Sequence, residues 1–473
     1  MIKRIFRHDL RLLKADKTLI VFAAVFAVLI GYAVASGLIW ANERDELVRQ
    51  WYADGEQYLA MNRQVIADIE QGKTPAEESP FADWVFAVKL PAALPPAPLT
   101  ALSVGRADLD PFTATVDLYS KKNELFKNYE TDNPTTLLAG RFDPTFVIIY
   151  LYPLLIFALT YNLLARERED GTLLLTLAQP VRLRHVAIGK AAARLFAALT
   201  FVIGFTLISL LVGGVDFAAP GVGLGLVWWL LLVIAYTLFW FAIASWVNAR
   251  GSSSATNATV LVGVWLLFVV VVPSLLSIAV TSFYPVPSRL EFIRQMRSND
   301  NEVGRSSKNL LEQYHRDHSE LVPDETVNIQ SRFYVLAEAQ EGRTLPLVRA
   351  YDGQLTRQQN LVDRLRFLSP AVVMQEATNA IAGTDRARYH HFQKQVEAFV
   401  DEWRAYAVPR SFRQINLRSS DYDSLPRFGF QEEPDARVTS RALAGLLGLL
   451  LPTIVIGGIA LRRLRRYPLV ESR

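Results

Sequence analysis

Long charge-free apolar runs alternate with charge-rich stretches along this chain, and the length of each run predicts an element. Residues 18–40, 146–165, 195–215, 222–247, 256–283 and 442–460 are each long and apolar enough for a helix to cross about 30 Å of hydrocarbon, which takes about 20 residues. Six membrane spans follow, with Pro153 as a kink in the second. Only a short turn, 216–221, separates the third from the fourth, so these two form a hairpin, and a polar loop at 248–254 leads into the fifth. Ahead of the first span, Ile2, Ile5, Phe6, Leu10 and Leu13 recur at helical spacing with Lys3, Arg4, Arg7, Arg11 and Lys14 between them. That pattern predicts an amphipathic helix over 1–17, lying on an anionic leaflet. A cleaved signal peptide is the rival reading, since Ala33-Val34-Ala35 has the small residues of a cleavage site, but the apolar run continues past it to Trp40.

Two long polar segments carry different patterns. In 41–142 the first part is rich in helix formers punctuated by Leu47, Trp51, Leu59, Val65 and Ile69, which predicts that the first span continues outward as a long helix. Pro91, Pro95, Pro96 and Pro98 then make a stiff extended strap, and 113–119 alternates as a strand does. Residues 284–437 read as helices at 289–297, 308–320, 324–340, 345–367 and 385–406, followed by a loop from 408. The first segment is therefore expected to be a mixed α/β domain and the second mainly α.

A short stretch between the second and third spans has neither character. Residues 165–171 are charged at most positions and cannot lie in hydrocarbon; Gly171 breaks the helix, and Pro180 closes a greasy one over 172–179 with Leu173, Leu174, Leu175 and Leu177. Eight residues cannot span a bilayer. They form either an interfacial helix among headgroups or a helix presented to a partner's groove, with apolar anchors inside and charges at the rim.

The residues Glu167, Arg168, Glu169, Gly171, Thr172 and Leu173, then Pro180, Arg182, Arg184, Gly189 and Lys190, resemble the signature of ABC-2 type transporter permease subunits. In that family the segment is a coupling helix seated on an ATPase subunit. The stretches 95–99, 103–106, 133–134, 140–143, 368–371, 382–385 and 388–389 resemble the branch whose large extracytoplasmic insertions follow the first and fifth spans, the second insertion being a domain of unknown function. The resemblance implies an ATP-driven exporter of a bacterial inner membrane, with two permease chains, identical or paralogous, above two cytoplasmic ABC ATPase subunits that use ATP and magnesium. The coupling residues it implies are Glu167, Arg168, Glu169, Gly171, Thr172, Leu173, Leu174, Leu177, Pro180 and Arg182, with Arg250, Ser252 and Ser253 of the 248–255 loop as a second contact.

Composition agrees with this division of labour. With 51% hydrophobic residues and 20% charged ones, the 473-residue chain is too apolar for an ordinary soluble enzyme and too polar for a wholly buried bundle. Zero cysteines exclude disulfides, thiolate metal sites and thiol chemistry. The basic residues gather beside the apolar runs and form no stripe of their own, so they read as topology signals and not as a nucleic-acid surface. Placing the 1–17, 166–194 and 462–466 clusters in the cytoplasm satisfies the positive-inside rule, returns both termini to that side and puts both long segments outside.

No chemistry of the chain's own is expected. The predicted spans carry no Asp, Glu, Lys, Arg or His in their middle, which disfavours an ion-coupled transporter. Gly189-Lys190 lacks the glycine spacing of a phosphate loop, so any ATP is hydrolysed by another chain. His315 and His318, with Asp317 and Glu320, and the adjacent His390 and His391 are metal-ligand types, but nothing brings the pairs together. Gly445, Gly448, Gly457 and Gly458 permit close helix approach. A second function class keeps the topology and drops transport: the outer domains would relay an ATP-driven signal to an extracytoplasmic partner. A scaffold without any ATPase is disfavoured by the greasy helix.

Overall fold

The computed structural model describes residues 2–75, 81–122, 141–179, 181–285, 289–305, 310–318 and 329–467. Helix α1 (Ile2–Ala15) is separated by Asp16 alone from α2 (Lys17–Glu70), a 54-residue helix about 80 Å long. Among the described residues six helices are long and apolar enough to cross a membrane: Leu19–Glu70, Pro144–Glu169, Leu183–Val212, Val222–Asn248, Ser254–Phe283 and Asp435–Arg466, called spans 1 to 6 here. Span 4 is the hub, with Trp229, Tyr236 and Trp240 fully buried.

Spans 2 and 5 share a local device. Each contains a π turn, Val147–Leu151 and Leu266–Val271, and in each a proline, Pro153 or Pro273, stands in the first turn of the helix that follows. A proline lacks the N–H of the regular ladder and crowds the carbonyl four residues back; widening the preceding turn relieves both. The kink expected at Pro153 takes this form.

Beyond Trp40, where the charge-free run ends, α2 continues for about 45 Å because its apolar positions keep finding partners. Gly55 lets Pro91 approach so closely that a Cβ would lie 2.5 Å from its ring. Strand β1 (Leu90–Ala93) pairs antiparallel with β2 (Thr113–Val116), Leu90 opposite Val116. A lone two-stranded ribbon is marginal in water. Here Leu90, Ala92, Ala114 and Val116 share one core with Phe392, Val400 and Trp403 of the Arg386–Phe412 helix. The two polar segments, expected as separate domains, thus share a single core.

Within 284–437 the helices are Arg289–Arg305, Leu310–Asp317, Ile329–Leu365, Pro370–Ala382 and Arg386–Phe412. The break expected between 340 and 345 does not occur. Glu341 is buried against Arg404 and Thr344 donates to the Gln340 carbonyl at 2.8 Å, so packing carries the helix through Gly342 and Pro346. Likewise the Arg386–Phe412 helix runs through Pro409 before the chain becomes irregular.

The Pro370–Ala382 helix reaches into the bundle. Ser369 caps it and donates its hydroxyl at 2.7 Å to the Phe268 carbonyl inside the π turn of span 5. Gly445 and Gly448 of span 6 make room for it: a Cβ at Gly445 would lie 2.6 Å from the Ala377 Cβ, and one at Gly448 2.7 Å from the Phe367 ring. A Cβ at Gly457 or Gly458 would meet no other element within 4 Å among the described residues. Gly445→Val is therefore expected to cost about 1–3 kcal/mol by overpacking. Gly457→Ala, with open space for its methyl, should not lower the thermal unfolding midpoint in detergent, and equal losses for the two would contradict this packing.

Candidate functional site

The stretch between spans 2 and 3 is held in place by its own charges. In the Ala165–Glu169 turn, successive side chains point about 100° apart, so the three charges of 167–169 reach three different neighbours. Glu167 pairs with Lys190 of span 3 at 2.7 Å. Arg168, buried, donates to the Gly251 carbonyl, and Glu169 accepts from the Ser254 backbone N–H at 2.6 Å and its hydroxyl at 2.9 Å. The charges expected at the rim of a partner contact are engaged within the chain, locking this stretch to the 250–254 loop.

Gly171 then adopts φ +69°, a left-handed turn, and opens the helix Thr172–Leu177, shorter than the stretch expected. Leu173 is fully buried with Leu164, Ala187, Ala249, Leu464 and Tyr467, and Leu177 packs against the edge of that cluster. Leu174 is 49% exposed and Leu175 73%. Thr172 is exposed and donates to the Glu167 carbonyl at 3.2 Å; Arg182 and Arg184 are exposed at the start of span 3. Pro180 lies outside the described residues. In the second loop, exposed Arg250 stacks 3.9 Å over Trp246, Ser253 caps span 5 by accepting from the Thr256 N–H, and Ser252 is half-buried.

Four residues here were not among the expected coupling positions: Leu175, Leu464, Tyr467 and Arg194. Leu175 stands two residues from buried Leu173, about 200° round the helix, a spacing that was readable. Leu464 and Tyr467 fold back from the end of span 6 onto Leu173, with no local signal. Arg194, read as one more topology charge, is buried and pairs with Asp9 of α1 at 3.2 Å.

On the opposite side of the bundle, stretches 95–99, 103–106, 141–143, 382–385 and 388–389, which carried the insertion-branch resemblance, meet at one junction, while 368–371 lies at the other end of the Pro370–Ala382 helix. Arg388 donates to the Pro95 carbonyl at 2.9 Å and pairs with Glu432 at 2.6 Å. Gly383 leaves room only for Ala97, Thr100 donates to the Ala382 carbonyl, and Ser103 donates to Asn379 at 2.7 Å. Gly105, at φ +55°, lies against Asn379 and Thr384, and Arg141 pairs with Asp108 at 2.9 Å. Residues 133–134 and 140 lie outside the described residues.

Asp143 caps span 2 from within this junction, accepting from the Phe146 N–H at 2.7 Å and the Val104 N–H at 2.9 Å. Burial pushes its carboxyl up to about 6, against those two hydrogen bonds. A folded-state value above the ordinary one means that the folded chain holds the proton more tightly, so this stability is present at low pH and is lost as pH rises from about 4 through about 6. Asp143→Asn, which keeps one acceptor, should remove on the order of 2–3 kcal/mol of that pH dependence. The check is the unfolding midpoint at pH 4.5 and 7: the wild-type value should fall relative to that of the variant.

Among the described residues no group of three or more His, Asp or Glu side chains could hold a metal ion. His315 packs edge-on against Phe412, His318 tilts over Tyr314 and His391 meets Phe430, while Glu320 is outside the described residues.

Residues 103–297 match the family described as ABC-2 family transporter protein. That match, together with the relative below, makes this chain similar to ABC-2 transporter proteins over less than half of its length. Residues 289–431 match a domain of unknown function, DUF3526. It is also similar to the probable ABC transporter permease protein NosY of Stutzerimonas stutzeri, 31% identical over 128 residues, which are 26% of this chain. The match spans 45% of that relative's length. The ABC-2 match contains spans 2 to 5 and the Thr172–Leu177 helix, and the second match covers the helices between span 5 and span 6. The ABC-2 match and the long apolar helices among the described residues together support a multi-pass membrane protein, and the match points to a non-catalytic transmembrane subunit.

Proposed function

We propose that the chain is the permease subunit of an ATP-driven ABC-2 exporter, and that Thr172–Leu177 is its coupling helix, gripped by a separate cytoplasmic ABC ATPase that binds ATP and magnesium. The observation that carries this reading is the pairing of exposed Leu174 and Leu175 with a fully buried Leu173 on a helix too short to cross lipid. A helix serving only its own bundle would turn its leucines inward; this one anchors by Leu173 and Leu177 and offers Leu174 and Leu175.

The charge clamps make the push transmissible. Glu167 to Lys190 ties the helix to span 3, Arg168 and Glu169 tie it to the start of span 5, and its backbone continues directly from span 2. Movement of the helix by the motor moves all three. Two such chains around a central pathway, in a bacterial inner membrane with both termini and this helix in the cytoplasm, complete the arrangement. The two states must differ in their contacts with the motor, or nucleotide shifts nothing.

One observation favours a second reading, transmission of force to an extracytoplasmic partner without transport. Span 1 and the distal core are one unbroken helix, α2, so tilting the span tilts the outer body. The test common to both is to co-express the chain with its ATPase partner and measure ATP turnover with Leu174→Glu and Leu175→Glu. Movement of a substrate into sealed vesicles then separates transport from transmission.

A further inference from the structure

Helix α1 was expected to float on the leaflet by its apolar face, but that face is occupied by protein. Ile5 fits against Gly189, where a Cβ would lie 2.8 Å from its side chain, and Phe6 meets Phe196 edge-on at 5.9 Å. Leu13 packs on the bundle core, and Asp9, 3% exposed, pairs with Arg194. Arg194 is held in turn by Asn162 at 2.9 Å and by the Leu159 carbonyl. A buried ion pair at the centre of a 14-residue helix fixes its roll about its axis.

With the roll fixed, Lys3, Arg4, Arg7, Arg11 and Lys14 form one exposed arc on the opposite side. The only carboxylate within the helix is Asp9, which is committed inward, so α1 supplies no acid to neutralise the arc. The depth of the arc follows from its contacts. The charge-free part of span 3 begins at Leu195, and α1 meets that helix at Gly189, Arg194 and Phe196, across the boundary between polar and apolar sequence. At its other end α1 passes through Asp16 into α2, whose Ile20, Val21, Phe22 and Val25 are exposed apolar side chains suited to acyl chains. Exposed Leu12 also stands on α1. Five cations at headgroup depth, with apolar side chains beside them, complement an anionic bilayer surface better than an acidic protein surface in water.

We infer that the arc of Arg4, Arg7, Arg11, Lys3 and Lys14 binds the phosphate headgroups of anionic lipids in the leaflet on the Thr172–Leu177 side. Bound lipid then braces α1, and through Asp9 and Arg194 the third span. The reading stands independently of ATPase coupling, because it needs only the bilayer.

The test uses the full chain in mild detergent, titrated with phosphatidylglycerol, phosphatidylcholine or inorganic phosphate, with retained lipid counted by native mass spectrometry. The chain should retain phosphatidylglycerol at least tenfold over phosphatidylcholine, and inorganic phosphate should not displace it. Arg4→Gln, Arg7→Gln and Arg11→Gln together should lower that retention at least fivefold. Arg49→Gln, Arg63→Gln and Arg427→Gln, which remove equal charge from the far side, should change it less than twofold. Unchanged retention in the α1 triple variant, equal loss in both triples, or displacement by phosphate overturns the inference. So does loss of ATPase copurification from the α1 triple with lipid retention intact, which would assign the arc to a protein. Should the α1 triple fail to fold, a spin label on His8→Cys, the sole thiol in a chain without cysteine, reads depth in phosphatidylglycerol vesicles. Headgroup immersion supports the arc, and bulk-water exposure overturns it.

Discussion

Leu174→Glu combined with Leu175→Glu is expected to abolish stimulation of the partner ATPase, by at least tenfold, while the permease still inserts and folds. Both side chains face outward, so the carboxylates enter water and the chain's own fold loses little. The cost appears only when the motor closes over them. Two leucines at the centre of a small apolar contact are worth about 2 kcal/mol or more together, and unpaired charges in the same groove oppose binding further, so a tenfold loss, about 1.4 kcal/mol, is the lower bound. Leu173→Glu must behave differently, because it buries a charge among Leu164, Ala187 and Tyr467 and should fail at folding. ATP turnover by the reconstituted complex, with gel filtration to report folding, separates the two. Full stimulation by the Leu174 and Leu175 variant would show that this helix is not the coupling surface.

The contrast between Leu173 and Leu175 marks how far the residues alone could be read. Hydropathy locates all six apolar helices, because 20 charge-free residues have few alternatives, and Gly171 followed by a leucine run locates the short helix. Which leucine points out depends on what covers the others, and the cover comes from Leu464 and Tyr467, nearly 300 residues away in sequence. The same holds for charge. Glu167, Arg168 and Glu169 read as a solvated rim because nothing nearby in sequence pairs with them, yet their partners are Lys190, Gly251 and Ser254. A strand and a proline strap were legible in the first polar segment, but their sharing a core with the Arg386–Phe412 helix was not, because apolar periodicity tells that a face is buried and not against what.

Arg441→Ala is expected to be the most destabilising single change at the far-side junction, about 3–5 kcal/mol. The guanidinium stands at the start of span 6, 3.0 Å from Asp385 and 2.6 Å from Glu433. Those carboxylates are 8% and 6% exposed at their side chains, so neither can exchange the lost partner for water. Burial already pushes the Asp385 carboxyl above its ordinary range despite Arg441, which shows how little margin the pair has. Arg441→Lys should recover only part of the loss, because a single ammonium lacks the fork that serves two acceptors at once. Adding Asp385→Asn and Glu433→Gln to Arg441→Ala should recover more, since the penalty is that of charges stranded in a dry site and neutral amides do not incur it. Denaturant unfolding in detergent measures the series. If the triple variant were as unstable as Arg441→Ala alone, the arginine would act through packing of its stem, and the span would be held to the Arg386–Phe412 helix by shape and not by charge.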